Sequence, residues 1–143
     1  MTESFNENLR RIKQIFSALD AEGKYCALID LGRKLAPYPD ALKTPDRIVK
    51  GCQSTLYLST RFESGQLYFS ASCDALISAG LAALLILAYS GEAPETILKC
   101  PPTFLSELGI SDSLSPNRSN GLSQIHLRMK QEALNHLLAT QTK

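Results

Sequence analysis

Hydrophobic positions near the start of the chain recur at three- and four-residue steps: Phe5, Leu9, Ile12, Phe16 and Leu19, with Arg10, Arg11 and Lys13 between them. That period predicts an amphipathic helix over 5–20, capped by Ser4 with Glu7 as the return partner of a capping box. Gly23 divides it from a second helix over 24–35, in which Tyr25, Leu28, Ile29 and Leu35 share a face. Cys26 falls on that face or beside it, and its small apolar character reads as packing rather than reactivity. Pro37, Pro39 and Pro45 then stop the helix and predict a surface connection leading to Asp46.

From Ser54 the period changes to two. Leu56, Leu58, Thr60 and Phe62 alternate with Thr55, Tyr57, Ser59 and Arg61, and Leu67, Phe69 and Ala71 alternate with Tyr68, Ser70 and Ser72. With the turn Glu63-Ser64-Gly65-Gln66 between them, these runs predict an antiparallel hairpin. A lone hairpin is marginal, so Arg47–Lys50 is expected to supply a third strand. Asp74 reads as the N-cap of a helix from Ala75 to Tyr89. That helix is apolar nearly all round and must be buried on most sides. Gly80 inside it costs roughly 1 kcal/mol against alanine, which predicts a close backbone approach at that point.

Gly91 ends the apolar helix, and Pro94 opens a short one over 94–99 that Cys100-Pro101-Pro102 breaks. A further helical turn or two precedes Gly109. The polar turn Leu114–Leu122 then leads into a last helix carrying Leu122, Ile125, Met129, Ala133 and Leu137 on one face. The expected architecture is one α+β domain over residues 1–143, a small three-stranded antiparallel sheet with helices packed on one side.

Composition changes this picture little. The 143 residues carry 15 basic and 14 acidic side chains, so no global field recruits nucleic acid or an anionic membrane surface. The acidic N-terminus lacks the pattern of a secretory leader, and the apolar run 79–89 falls short of the roughly 20 residues that span a bilayer. A cytoplasmic protein is expected. Cys26, Cys52, Cys73 and Cys100 are too far apart in sequence for the paired spacing of a structural zinc site, and an intracellular chain keeps its thiols reduced.

One of those thiols stands out. In Arg47-Ile48-Val49-Lys50-Gly51-Cys52-Gln53-Ser54, Cys52 follows a glycine at the entrance of the best strand pattern. Arg47 and Lys50 lie within five residues upstream, and positive charge favours the nucleophilic thiolate. The glycine allows a tight, movable loop tip. Such a loop over an apolar cavity would shield the sulfur and swing it outward when a partner docks.

Four stretches in order resemble the SufE family and its paralogue CsdE. Lys24-Tyr25 with Leu31-Gly32-Arg33-Lys34-Leu35 is similar to its second helix. Val49–Ser54 is similar to its GCQS segment, Asp74-Ala75 with Gly80-Leu81 to its SDA…KGL helix start, and Leu114–Leu122 to its LTPSRSQGL turn. Tyr57 and Phe104 stand near positions where the family often has tryptophan, and Cys73 stands where it commonly has serine.

The resemblance implies an α+β fold like that of the IscU scaffold, and a sulfur acceptor of iron–sulfur cluster assembly. Cys52 would take sulfane sulfur from a SufS- or CsdA-type cysteine desulfurase, stimulating it, and pass the sulfur to a SufBCD-type scaffold. Gly51, Gln53 and Ser54 would support the loop, and Lys50, Asp74 and Arg118 would serve docking or loop support. Pyridoxal phosphate belongs to the desulfurase, so the carrier itself is expected to hold no cofactor or metal and to act as a monomer or homodimer.

Four rivals stand beside this reading, one of them a non-enzymatic adaptor that only docks to a desulfurase and whose function would survive Cys52→Ser. A thiol redox protein of peroxidase type would pair Cys52 with Cys73. A cluster scaffold would need the fold to gather Cys52, Cys73 and Cys100. A Cys–His hydrolase would need His126 or His136 beside Cys52, whereas both read as members of a solvated helix face.

Overall fold

A computed structural model describes residues 3–141. The chain runs α1 (Glu3–Phe16), α2 (Ala21–Arg33), β1 (Leu56–Glu63), β2 (Gln66–Cys73), α3 (Leu76–Tyr89), α4 (Pro94–Lys99), α5 (Phe104–Glu107) and α6 (Pro116–Gln141). The α+β class holds: helices pack with one small antiparallel sheet. Among the described residues no helix is long and apolar enough to cross a membrane.

The apolar helix α3 is the centre of the core. Leu81, Ala82, Leu84, Leu85, Ala88 and Tyr89 are buried, and the positions of α3 that reach solvent, Leu76 and Leu87, are apolar too, so the helix is not amphipathic. α2 crosses it where two glycines meet. A Cβ on Gly80 would stand 2.1 Å from the carbonyl oxygen of Leu28, and one on Gly32 would stand 2.8 Å from the backbone nitrogen of Gly80. The glycine inside α3 is the close backbone approach its sequence predicts.

β1 and β2 pair from Leu56 with Cys73 to Glu63 with Gln66. Ser64 and Gly65 form the turn, both at positive φ, as a two-residue hairpin demands. Leu56, Leu58, Leu67, Phe69 and Ala71 face the core. The third strand is reduced to a bridge between Ile48 and Tyr57, with the Val49 N–H donating to the Leu56 carbonyl at 2.9 Å. The helical turn Pro45–Arg47 precedes this bridge and the turn at Gly51 follows it, so no length of chain remains to extend the pairing.

Several element ends differ from the sequence reading, each because a tertiary or capping contact outcompetes the local signal. Ser4 lies inside α1 rather than capping it. Its hydroxyl donates to both carboxylate oxygens of buried Glu92, at 2.7 and 2.8 Å, and Asn8 donates to the same carboxylate at 3.2 Å. A buried carboxylate needs such donors. Glu7 instead pairs with Arg10.

Gly23 does not separate the first two helices. Asp20 caps α2 and takes the Gly23 N–H at 2.8 Å. Cys26 is exposed on α2 rather than packed. Asp74 stands two residues before α3, one before its N-cap Ala75. The polar turn before the last helix is in fact its beginning: Pro116 opens α6, and Ser115 Oγ accepts the Arg118 N–H at 3.4 Å.

Candidate functional site

The Cys52 loop connects the Ile48–Tyr57 bridge to β1 and lies against α6. Val49 is buried beneath it. From α6, the Arg128 guanidinium donates to the carbonyls of Ile48 at 3.2 Å and Asp46 at 2.5 Å, clamping the loop's entrance. Gly51 takes φ of 89°, and a Cβ there would fall 2.8 Å from Gln124 Cγ. Only glycine meets both demands. Asn120 Nδ2 donates to the Gly51 carbonyl at 3.0 Å. Asn120, Gln124 and Arg128 are four residues apart, so one polar stripe of α6 lines the loop from its entrance to Gly51.

Cys52 is half-buried, with its thiol 3.9 Å from the Gly121 carbonyl. It lines a cavity of about 460 Å³ together with Gln53, Ser54, Ile29, Leu81 and Arg118. Arg118 is exposed and lies over the Tyr25 ring, 5.6 Å from its centroid. The loop residues Gln53 and Ser54 and the distant Arg118 are thus brought to the thiol.

The electrostatics run against the sequence expectation. Burial pushes the Cys52 thiol up, and the neighbouring Cys73 adds to the rise. Arg47 spends its guanidinium on Thr44 Oγ1 at 2.7 Å, and Lys50 is exposed on the side facing α6, away from the cavity. Neither base lowers the thiol pKa. At rest the site holds a protonated, weakly nucleophilic sulfur.

Cys73 ends β2, and its Sγ is 3.5 Å from Ser54 Oγ. The Ser54 hydroxyl in turn donates to Ser78 Oγ at 3.1 Å. Asp74 sits beside Cys73, its carboxylate 4.0 Å from that sulfur, and does not line the Cys52 cavity. Cys100 ends α4, where its carbonyl accepts the Tyr89 hydroxyl at 2.7 Å. It is not gathered with Cys52 and Cys73, and the described residues hold no group of three His, Cys, Asp or Glu placed for a metal.

Both histidines are half-buried rather than fully solvated. His126 lies tilted against the Tyr89 ring and His136 stacks on Phe62. Burial, with a smaller contribution from Lys130, lowers the His126 pKa to about 4. Neither lines the cavity, so the thiol has no imidazole base there.

Sequence reasoning missed Asn120, Gln124, Arg128 and Ser78. The spacing of the first three marks a polar helix stripe, but nothing local names the loop it grips.

Residues 10–133 match the SufE family model, described as an Fe-S metabolism associated domain. The chain is 34% identical to SufE-like protein 1, chloroplastic/mitochondrial, of Arabidopsis thaliana over 92% of its own length, but spans only 36% of that protein. It is 33% identical to an uncharacterized SufE-like protein of Synechocystis, covering 89% of this chain and 80% of the other. A hypothetical protein of Thermus thermophilus, solved in solution, superposes with a TM-score of 0.76 at 25% identity, covering 92% of this chain and 96% of that one. The match takes in the Cys52 loop, the hairpin, the apolar helix and the start of α6: this chain belongs to the SufE family of Fe–S metabolism associated domains.

Proposed function

We propose that this protein is a sulfur carrier, with Cys52 taking sulfane sulfur from the persulfide of a pyridoxal-phosphate cysteine desulfurase and passing it to a cluster-assembly scaffold. The observation that carries the reading is the placement of Cys52: a thiol of raised pKa on a clamped loop, half-buried at a cavity large enough for an added sulfur.

The chemistry is thiol exchange. Cys52 gives up its proton, and its thiolate attacks the terminal sulfur of the donor persulfide. The sulfur–sulfur bond of the donor breaks, and the donor thiolate leaves and takes up a proton. Sulfur has moved, with no net redox change. The raised pKa keeps the free carrier from reacting with stray electrophiles. A docked partner that draws the loop off α6 removes the cause of that rise, because burial is the larger contribution.

Afterwards the persulfide, itself redox-labile, can turn back against Ile29 and Leu81, away from bulk water. Arg118 at the rim, with Asp74 and Lys50 exposed nearby in sequence to the loop and β2, offers charged groups to the partner.

Incubation with a cysteine desulfurase and cysteine, followed by intact mass and peptide mapping, tests the reading. Added sulfur is expected on Cys52. Transfer that persists in Cys52→Ala would sink it.

A further inference from the structure

We propose that Cys73 discharges a persulfide left on Cys52, closing a Cys52–Cys73 disulfide and releasing hydrosulfide; the inference rests on the carrier reading above. Cys73 is the last residue of β2 and pairs with Leu56, the first of β1. Its sulfur contacts the hydroxyl of Ser54, two residues beyond Cys52 on the same loop. Both thiols are half-buried, and a charge on Cys73 is felt at Cys52. The other two thiols are placed elsewhere, Cys26 on the exposed side of α2 and Cys100 at the end of α4.

The two sulfurs approach the loop from different sides. Cys52 faces the cavity under α6, whereas Cys73 lines a separate depression with Thr55, Tyr57 and Ser72. A persulfide on Cys52 would extend its terminal sulfur into the cavity. In-line displacement at sulfur then requires Cys73 to meet the inner sulfur from the side opposite the leaving atom. The disulfide requires the two Cα atoms to lie within roughly 4.4–6.8 Å of each other. Among the described side chains, Asn120 is the one that hydrogen-bonds the backbone of the loop tip.

The step balances without an outside oxidant. The Cys73 thiolate attacks the Cys52 Sγ, the bond from Sγ to the sulfane sulfur breaks, and that sulfur departs with the electron pair as hydrosulfide. Each cysteine sulfur is oxidised by one electron, and the sulfane sulfur is reduced by two. Attack on the inner sulfur is favoured because hydrosulfide is the more acidic leaving group. Attack on the outer sulfur would expel the Cys52 thiolate, whose burial makes it the poorer one. A carrier with no acceptor would thereby shed its sulfur and rest as a disulfide until a cellular thiol reduces it.

The experiment loads the full chain with inorganic polysulfide, removes the excess and follows sulfide release and intact mass, with a non-reducing peptide map. The wild type and Cys26→Ser should lose hydrogen sulfide from the loaded form at a rate independent of protein concentration, and yield a Cys52–Cys73 disulfide. Cys73→Ser, which keeps a hydroxyl beside Ser54, should hold the Cys52 persulfide roughly ten-fold longer. Equal decay of the persulfide in Cys73→Ser and wild type overturns the discharge step and leaves the carrier reading standing. Failure of Cys52 to hold sulfur in Cys73→Ser overturns both.

Discussion

Asn120 on α6 donates a hydrogen bond to the carbonyl of Gly51, the residue before Cys52, at 3.0 Å. A side chain that sequence alone gives to a polar turn is thus the latch of the sulfur-bearing loop.

Removing that latch should expose the thiol. Asn120→Ala is expected to raise the rate of Cys52 alkylation in the free protein several-fold, while lowering stability by only about 1 kcal/mol, the worth of one hydrogen bond. Peptide-resolved alkylation kinetics check this. A rate equal to wild type would mean that Asn120 does not restrain the loop.

The pH dependence of Cys52 has a definite sign. Its folded pKa lies above that of an ordinary thiol, first through burial and then through Cys73. Alkylation of the free protein should therefore turn on at higher pH than that of a model thiol. The same shift favours the folded state while the thiol is protonated, and this contribution fades as pH rises through the folded pKa. Midpoints from alkylation at a series of pH values, with Cys52→Ser as control, decide it. A midpoint below the model thiol would restore a role for Arg47 and Lys50.

His126 should limit acid stability. Its folded pKa of about 4 lies below the ordinary 6.5, so the unfolded chain binds the extra proton between these values. Stability should fall as pH drops through that window, and be unaffected above it. His126→Gln should show a shallower loss of thermal stability between pH 6.5 and 4 than wild type. Parallel curves would reject the assignment.

The α2–α3 crossing tolerates no side chain. Gly80→Ala would drive a methyl onto the Leu28 carbonyl, 2.1 Å away, and should cost at least roughly 1–3 kcal/mol despite the better helix propensity of alanine. Gly65→Ala, where nothing stands within 4 Å but φ is 81°, should cost less. Thermal or denaturant unfolding ranks the two, and the reverse order would contradict the crossing geometry.

How much was legible in the sequence follows from the range of each signal. The hairpin is legible in strict alternation and a short glycine-containing turn, both local, whereas its register is read from the paired strands. The burial of α3 came from apolarity on every side, and Gly80 from its cost inside a helix. Cys52 was found because glycine, thiol and strand entrance are adjacent along the chain.

The sequence by itself determined the α+β class, the cysteine proposed to carry sulfur and the helix that fills the core, because each depends on neighbours a few residues apart. The tertiary structure alone decided what surrounds the thiol. It set α6 against the loop through Asn120, Gln124 and Arg128, turned the expected thiolate into a half-buried thiol of raised pKa, and placed Cys73 across Ser54 from Cys52. The physical reason is that burial and charge are summed over space: a pKa set by desolvation depends on which distant element covers the sulfur, and two basic residues nearby in sequence do not lower it when one guanidinium is bonded to Thr44 and the other side chain is exposed to solvent.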